Sequence, residues 1–281
     1  MLELIDELKD IKLAIFDLDG VIYRGDALIP NAEKVIKEFK NLSIKVVYNS
    51  NNSTATRQTY VERLETFNIK SKINDFYTSA SITSAEITKL KQNANIYVIG
   101  EKGLRSELQA SGHTIITKPR DFKEIDFVIV GLDRDFKYSN LAIAQKCILE
   151  GNAQFYATNA DSTLPVARGL KPGAGVMVNA LKTCTGKEPV KIFGKPEPFG
   201  IEMILNDTKI SAENTVIFGD RLNTDVLAGN RAGIKTIVVL TGVTTMEMIE
   251  ELKIKSKNST ISDKNLIPDI VIHKLDEVFK E

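Results

Sequence analysis

The chain has 281 residues, 43% of them hydrophobic and 26% charged, which suits about two globular domains at roughly 150 residues each. Lysine plus arginine equals aspartate plus glutamate at 37 each, so no charge excess points to a nucleic acid polymer or an anionic membrane as partner. Two histidines and two cysteines argue against a histidine zinc site, a serine–histidine triad or a disulfide framework.

The N-terminus alternates apolar and acidic residues and lacks the regions of a signal peptide. No apolar run approaches a membrane span, so a reducing cytoplasm is the expected location. Along the chain, short β-branched runs read as strands at Leu13–Phe16, Ile44–Tyr48, Ile96–Ile99, Phe127–Val130, Gln154–Ala157, Val190–Phe193, Thr215–Phe218, Thr236–Leu240 and Asp269–His273. Between them Asn31–Lys40 carries apolar residues at helical spacing. Thr56–Phe67 reads as a helix capped by Ser53 or Thr54. Helices over Leu141–Leu149 and Asp225–Ala232 are expected to stop at Gly151 and Gly233. The lysine-rich stretch from Lys253 to Lys264 reads as a solvated loop. His113 and His273 read as structural residues, and Cys147 and Cys184 as free thiols on helix faces.

Strands alternating with helices predict an α/β fold, a doubly wound parallel sheet of the Rossmann-like kind. About 140 residues separate Ser50 from Lys195, too many for one crossover. The pattern predicts a discontinuous core, residues 1–78 and 186–281, interrupted by a second α/β domain over 79–185.

Ligands in such sheets bind beyond the carboxyl ends of the strands. Four of the predicted strands end there in polar groups: Asp17 with Asp19, Ser50, Lys195, and Asp220. Asp17 is suited to attack phosphorus as a nucleophile, and Asp19 to move protons to and from the leaving and attacking oxygens. Asp220 could join Asp17 around a hard divalent cation, which magnesium's preference for oxygen ligands suits. Asp225 could brace Lys195 or a metal-bound water, or simply favour a helix N-terminus. Lys195 could pair with phosphoryl oxygens. Ser50, Asn51 and Asn52 could donate to phosphate near a helix N-terminus. Each residue alone also fits a turn, a cap or an exposed position. The joint order and the strand-end placement carry the reading.

The segments Asp17-Leu18-Asp19-Gly20-Val21, Ser50, Lys195 and Gly219-Asp220 through Asp225 resemble the four motifs of the haloacid dehalogenase superfamily, in order. With Tyr23-Arg24-Gly25, Ser50-Asn51-Asn52-Ser53, Ala157-Thr158-Asn159-Ala160-Asp161 and Pro172-Gly173-Ala174-Gly175, the chain is similar to the NagD and 4-nitrophenyl phosphatase branch, class IIA with a C2a cap. The resemblance implies a magnesium-dependent phosphatase of small phosphate monoesters (nucleoside monophosphates, phosphoglycolate, sugar or aryl phosphates) working through an aspartyl-phosphate. By that resemblance Asp17 is nucleophile and metal ligand. Asp19 is acid/base and lends its backbone carbonyl to the metal, and Asp220 is the other protein ligand. Ser50 and Lys195 hold phosphate, with Asn51 and Asn52 close by. Asn159 and Asp161 are the candidates for choosing the leaving group. Dehalogenase members lack the second aspartate, so Asp19 favours phosphate chemistry. Many relatives carry aspartate where this chain has Asn223, and vitamin B6 phosphatases tend to have histidine near Leu164. Two other activities remain open from the residues: transfer to a second alcohol, and a phosphate- or nucleotide-binding protein without turnover. Relatives commonly pair, which leaves a homodimer open.

Overall fold

The computed structural model describes residues 2–165, 169–257 and 264–280. The chain divides into two compact units. One comprises Met1–Ser50, Val61–Tyr77 and Lys195–Glu281, the other Asn51–Tyr60 and Thr78–Gly194.

In chain order the elements are β1 (Leu13–Phe16), a small hairpin of β2 (Tyr23–Arg24) and β3 (Ala27–Leu28), α1 (Ala32–Asn41), β4 (Lys45–Ser50), α2 (Arg57–Thr66) and β5 (Phe76–Thr78). Then come α3 (Ser79–Leu90), β6 (Asn95–Ile99), α4 (Lys102–Ala110), β7 (Thr114–Ile115), β8 (Phe127–Val130), α5 (Tyr138–Leu149) and β9 (Gln154–Ala157). A hairpin of β10 (Thr163–Pro165) and β11 (Leu170–Pro172) leads to α6 (Ala174–Thr185) and β12 (Lys191–Ile192). The chain returns through α7 (Phe199–Thr208), β13 (Thr215–Gly219), α8 (Leu227–Arg231), β14 (Lys235–Val239), α9 (Met246–Lys257) and β15 (Ile270–Ile272).

The first unit is built on a six-stranded sheet in the order β15-β14-β13-β1-β4-β5. The pairs from β15 through β4 are parallel. All four residues of β1 are buried, as a central strand covered on both faces requires. Its Phe16 lies opposite Tyr48 on one side and Phe218 on the other, so the carboxyl ends of the three strands lie on the same edge of the sheet. Phe16 stacks on Phe218 at 4.4 Å between ring centroids, and Phe39 of α1 meets both edge-on. The buried residues of α1 are Ala32, Val35, Ile36 and Phe39, the stripe its spacing predicts.

The second unit holds a five-stranded sheet, β12-β9-β8-β6-β7, also parallel throughout. Its core gathers Val128, Val130, Phe155 and Ala157 of the sheet under Cys147 and Ile148 of α5 and Val178 and Leu181 of α6. Leu164 packs on the same core, half-buried. His113 is buried, its Nδ1 accepting from the Ala94 N–H and its Nε2 2.9 Å from the Thr88 hydroxyl. His273 is exposed just past β15. Both thiols lie on helices, Cys147 buried and Cys184 half-buried.

Several expectations need correction. The run Val190–Phe193 does not end beside β1: β12 pairs with β9 in the second sheet. An apolar run of this length carries no label for its sheet, and pairing with β9 buries Phe193. The stretch from Lys253 is not a loop at its start, because α9 runs to Lys257 on the strength of a buried Ile249 and a half-buried Leu252. Its remainder over 258–263 lies outside the described residues. At the start of α2, the Thr59 N–H is 3.3 Å from the Thr56 hydroxyl, so neither Ser53 nor Thr54 is the cap. After α5 it is Asn152, not Gly151, that adopts the left-handed conformation. Gly151 is small because a Cβ there would meet the Phe122 carbonyl at 2.2 Å. The helix over Asp225–Ala232 begins later, at Leu227, after a wide π-type turn over Leu222–Val226. Gly233 ends it in the left-handed conformation as expected.

Candidate active site

Beyond the carboxyl ends of β1, β4 and β13 the first unit gathers Asp17, Lys195, Asp220 and Asp225. All four are at most 9% exposed. The carboxylates of Asp17, Asp220 and Asp225 each place an oxygen within 4.8 Å of the others. Lys195, beside a cis peptide to Pro196, reaches them from the loop after β12. Its Nζ donates to Asp17 Oδ1 at 2.6 Å, to Asp225 Oδ1 at 2.6 Å and to the Asn49 carbonyl at 2.9 Å. An ammonium has three protons, and these three acceptors match them.

The bonds sort the carboxylates. Both oxygens of Asp225 are engaged, Oδ1 by Lys195 and Oδ2 by the Arg221 N–H at 3.1 Å. Asp225 therefore braces the ammonium. Asp17 gives one oxygen to Lys195, and Asp220 gives Oδ2 to the Val243 N–H at 2.8 Å. The second oxygen of each makes no hydrogen bond among the described residues. Three buried carboxylates stand against one ammonium, and the imbalance shows in the acidity of Asp17 and Asp220. Burial pushes Asp17 well above the usual carboxylate range, Lys195 opposes the rise, and Asp225 and Asp220 add to it. Burial and the charge of Asp225 push Asp220 up to about 7. Burial works to lower Lys195, but Asp17 and Asp225 outweigh it and keep the ammonium charged. A small hard cation suits this donor set: two oxygens without a partner among the described residues, one from Asp17 and one from Asp220, with a local excess of negative charge.

Asp19 follows the sharp turn at Leu18, whose carbonyl takes the N–H groups of Ile22 and Tyr23 at 2.9 and 3.2 Å. The Asp19 carbonyl makes no hydrogen bond among the described residues. Burial raises the affinity of the Asp19 side chain for a proton, and Arg63 and Arg221 oppose that. Gly20 is left-handed, and a Cβ on it would stand 2.5 Å from Asp220 Oδ2. Gly219 has no room for a side chain either, because a Cβ would lie 2.0 Å from that of Asp225.

Ser50 is buried at the end of β4. Its neighbours Asn51 and Asn52 fall in the second unit. There the Asn51 amide donates to both Asp161 oxygens at 3.1 and 3.3 Å, and Asn159 donates to Asp161 at 2.9 Å. Thr158 donates to the Asn159 side-chain oxygen. Asn52 turns its side-chain oxygen onto the Thr54 N–H and hydroxyl. The loop carrying Asn159 and Asp161 is clamped by the start of α6: Gly173 donates to the Ser162 carbonyl and Gly175 to that of Asp161. A Cβ at Gly173 would meet the Asp161 carbonyl at 2.2 Å, which is why that helix starts with glycine. Asn223 is exposed.

Three contributors escape a reading of the sequence. The Asn49 carbonyl holds Lys195. Arg63 lies over the Tyr23 ring at 3.8 Å and donates to the Gly25 carbonyl. The loop from Thr241 to Thr244 cradles Asp220 by its Val243 and Thr244 N–H groups. That loop follows β14 as the other site loops follow their strands, and this position is the signal that could have found it.

Comparison with known proteins gives the same picture. Residues 14–114 match the family described as Haloacid dehalogenase-like hydrolase, and residues 192–277 match a second HAD-hydrolase-like family. An acid sugar phosphatase of Staphylococcus haemolyticus is 35% identical over 96% of this chain and 98% of its own length. The crystal structure of a 4-nitrophenylphosphatase from Thermotoga maritima superposes with a TM-score of 0.86 at 32% identity, covering 97% of this chain and 98% of that one. A glycerol phosphate phosphatase from Mycobacterium tuberculosis, solved in complex with magnesium, gives 0.84 at 27% identity, covering 99% of this chain and 79% of that one. The chain belongs to the haloacid dehalogenase-like hydrolases, in their NagD-like class IIA branch.

Proposed function

We propose that the chain hydrolyses small phosphate monoesters, of the sugar phosphate, nucleoside monophosphate, phosphoglycolate or aryl phosphate kind, through a phosphoaspartyl intermediate on Asp17. The observation that carries this is the division of labour among the carboxylates. Asp225 is fully engaged in bracing Lys195, while Asp17 and Asp220 each keep one oxygen without a described partner.

In the first step an Asp17 oxygen forms a bond to phosphorus as the bond from phosphorus to the alcohol oxygen breaks. The raised proton affinity of Asp19 suits it to give that departing oxygen a proton. In the second step Asp19 takes a proton from water, whose oxygen bonds to phosphorus as the Asp17–phosphorus bond breaks. Asp17 is restored as a carboxylate and inorganic phosphate leaves. Lys195 favours the ionised form of Asp17 against its burial and orients it, and its charge offsets that of the phosphoryl group. Asp17 and Asp220, with the Asp19 carbonyl, would hold magnesium. That ion, when bound, screens the repulsion between nucleophile and phosphate. Ser50, Asn51 and Asn52 are the proposed phosphate donors.

We take residues 79–185 as the insert that selects the leaving group, with Asn159 and Asp161 as its polar contacts. Two chains pairing is part of the same reading, open to sedimentation. No helix among the described residues is long and apolar enough to cross a membrane. With free cysteines, a cytoplasmic setting fits this reading best. The test is phosphate release from 4-nitrophenyl phosphate with magnesium, and its loss in Asp17→Asn. A wild-type protein that binds phosphate and turns over no ester in a substrate panel would defeat the proposal.

A further inference from the structure

Asp220 owes its setting to a loop that belongs to none of the motifs. Gly242 lies so close that a Cβ would stand 1.9 Å from Asp220 Oδ2. The Val243 N–H donates to the same oxygen at 2.8 Å, and the Thr244 N–H donates to the Asp220 carbonyl at 3.0 Å. What holds this loop is Arg24, at the end of β2. Its Nη2 donates to the Thr241 carbonyl at 2.7 Å and to the Gly242 carbonyl at 2.9 Å. The Thr241 hydroxyl returns a bond to the Gly20 carbonyl at 2.6 Å.

The Gly242 carbonyl and the Val243 N–H are two ends of one peptide group. A guanidinium on the oxygen draws charge through the planar unit and makes the N–H a stronger donor. One continuous line therefore runs from the Arg24 cation through a single peptide to the Asp220 carboxylate. The base of Arg24 is itself fixed, because Tyr23 lies under Arg63 and Gly25 accepts from Arg63.

We propose that Arg24 is a positioning residue for the metal carboxylate. It holds and polarises the Gly242–Val243 peptide, which takes up Asp220 Oδ2 and fixes the direction in which the other oxygen is offered to the cation. The inference rests on the metal reading given above. Arg24 is exposed, so its loss leaves no cavity.

The experiment compares wild type, Arg24→Gln, Arg24→Lys and Asp220→Asn by calorimetric titration of the full chain with magnesium, alongside far-ultraviolet circular dichroism. The Val243 amide proton is followed by nuclear magnetic resonance in the metal-free protein. Arg24→Gln is expected to weaken magnesium about tenfold and to move the Val243 proton upfield, with the fold intact. Arg24→Lys, able to reach one carbonyl, should fall between. In turnover, the magnesium concentration for half activity should rise while kcat at saturating magnesium recovers. Unchanged magnesium affinity in Arg24→Gln, where Asp220→Asn abolishes binding, overturns the inference alone. Magnesium uptake that Asp220→Asn leaves untouched, or no uptake by the wild type, overturns the metal reading and the inference with it. Should Arg24→Gln misfold, the Arg24→Lys titration and the Val243 shift decide.

Discussion

Both units are parallel sheets under helices, yet the loops at their strand ends hold different sets of polar groups. In the first unit three carboxylates gather around one ammonium, and the proton affinities of Asp17 and Asp220 rise. In the second, the side-chain amides of Asn51 and Asn159 donate to Asp161. Amides supply hydrogen bonds and add no charge, whereas a cluster short of positive charge is poised to take up a cation. The architecture is shared. The chemistry lies in which residues the loops carry.

The largest effect that sharpens this contrast is at the nucleophile. Asp17→Asn keeps the size of the side chain and removes its ability to attack, so kcat on 4-nitrophenyl phosphate should fall by about 10⁵-fold or more, as loss of a nucleophile does elsewhere. Asp161→Asn should change kcat on the same ester far less, and a comparable loss would break the distinction between the two loops. Next comes Lys195→Met. Removing the one ammonium leaves Asp17 and Asp225 buried without it, a change expected to cost about 3–5 kcal/mol of stability in denaturant unfolding. The deficit should shrink at acid pH, where the stranded Asp17 carboxylate takes up a proton.

A third test uses pH and metal together. Asp220 is raised from 3.8 toward about 7 in the folded protein, so the native state binds the proton more tightly than the unfolded chain. Stability of the metal-free protein must then fall as pH rises across that window. Magnesium offsets the exposed repulsion only where the carboxylates are ionised. Its gain in Tm should therefore be larger at pH 8 than at pH 6, measured against the same protein in chelator. An equal gain at both would contradict the charge deficit.

Much of this was legible because it is local. Asp17 and Asp19 follow an apolar run that forms β1, and Asp220 follows another that forms β13. Parallel neighbours then bring their ends to the same edge of the sheet. Lys195 reads correctly as a strand-end group but for a wrong reason, since its strand lies in the other sheet. Pairing of short strands is decided by contacts far apart in sequence, which no run of three or four residues encodes. Arg24 and the Thr241–Thr244 loop were opaque for the same cause: their partners lie 217 and 218 residues apart, and they meet through backbone carbonyls that any residue possesses. Helix α9 was hidden by its lysines, which mask a narrow apolar stripe.

The smallest effect has the opposite sign and belongs to the second unit. His113 is buried, and burial lowers its proton affinity below the ordinary value of 6.5. Its Nδ1 accepts the Ala94 N–H, a bond that the protonated ring cannot accept. The unfolded chain therefore binds the proton more readily, and this contribution to stability is lost as pH falls below about 6.5. Hydrogen exchange on β6 and α4 should show protection weakening between pH 7 and pH 5.5, after correction for the intrinsic rate. Over the same range in chelator, β1 and β13 should hold or gain protection. His113→Gln should remove the first trend and leave the second. Parallel losses in both sheets would mean that the two units do not divide their titrations as the buried groups require.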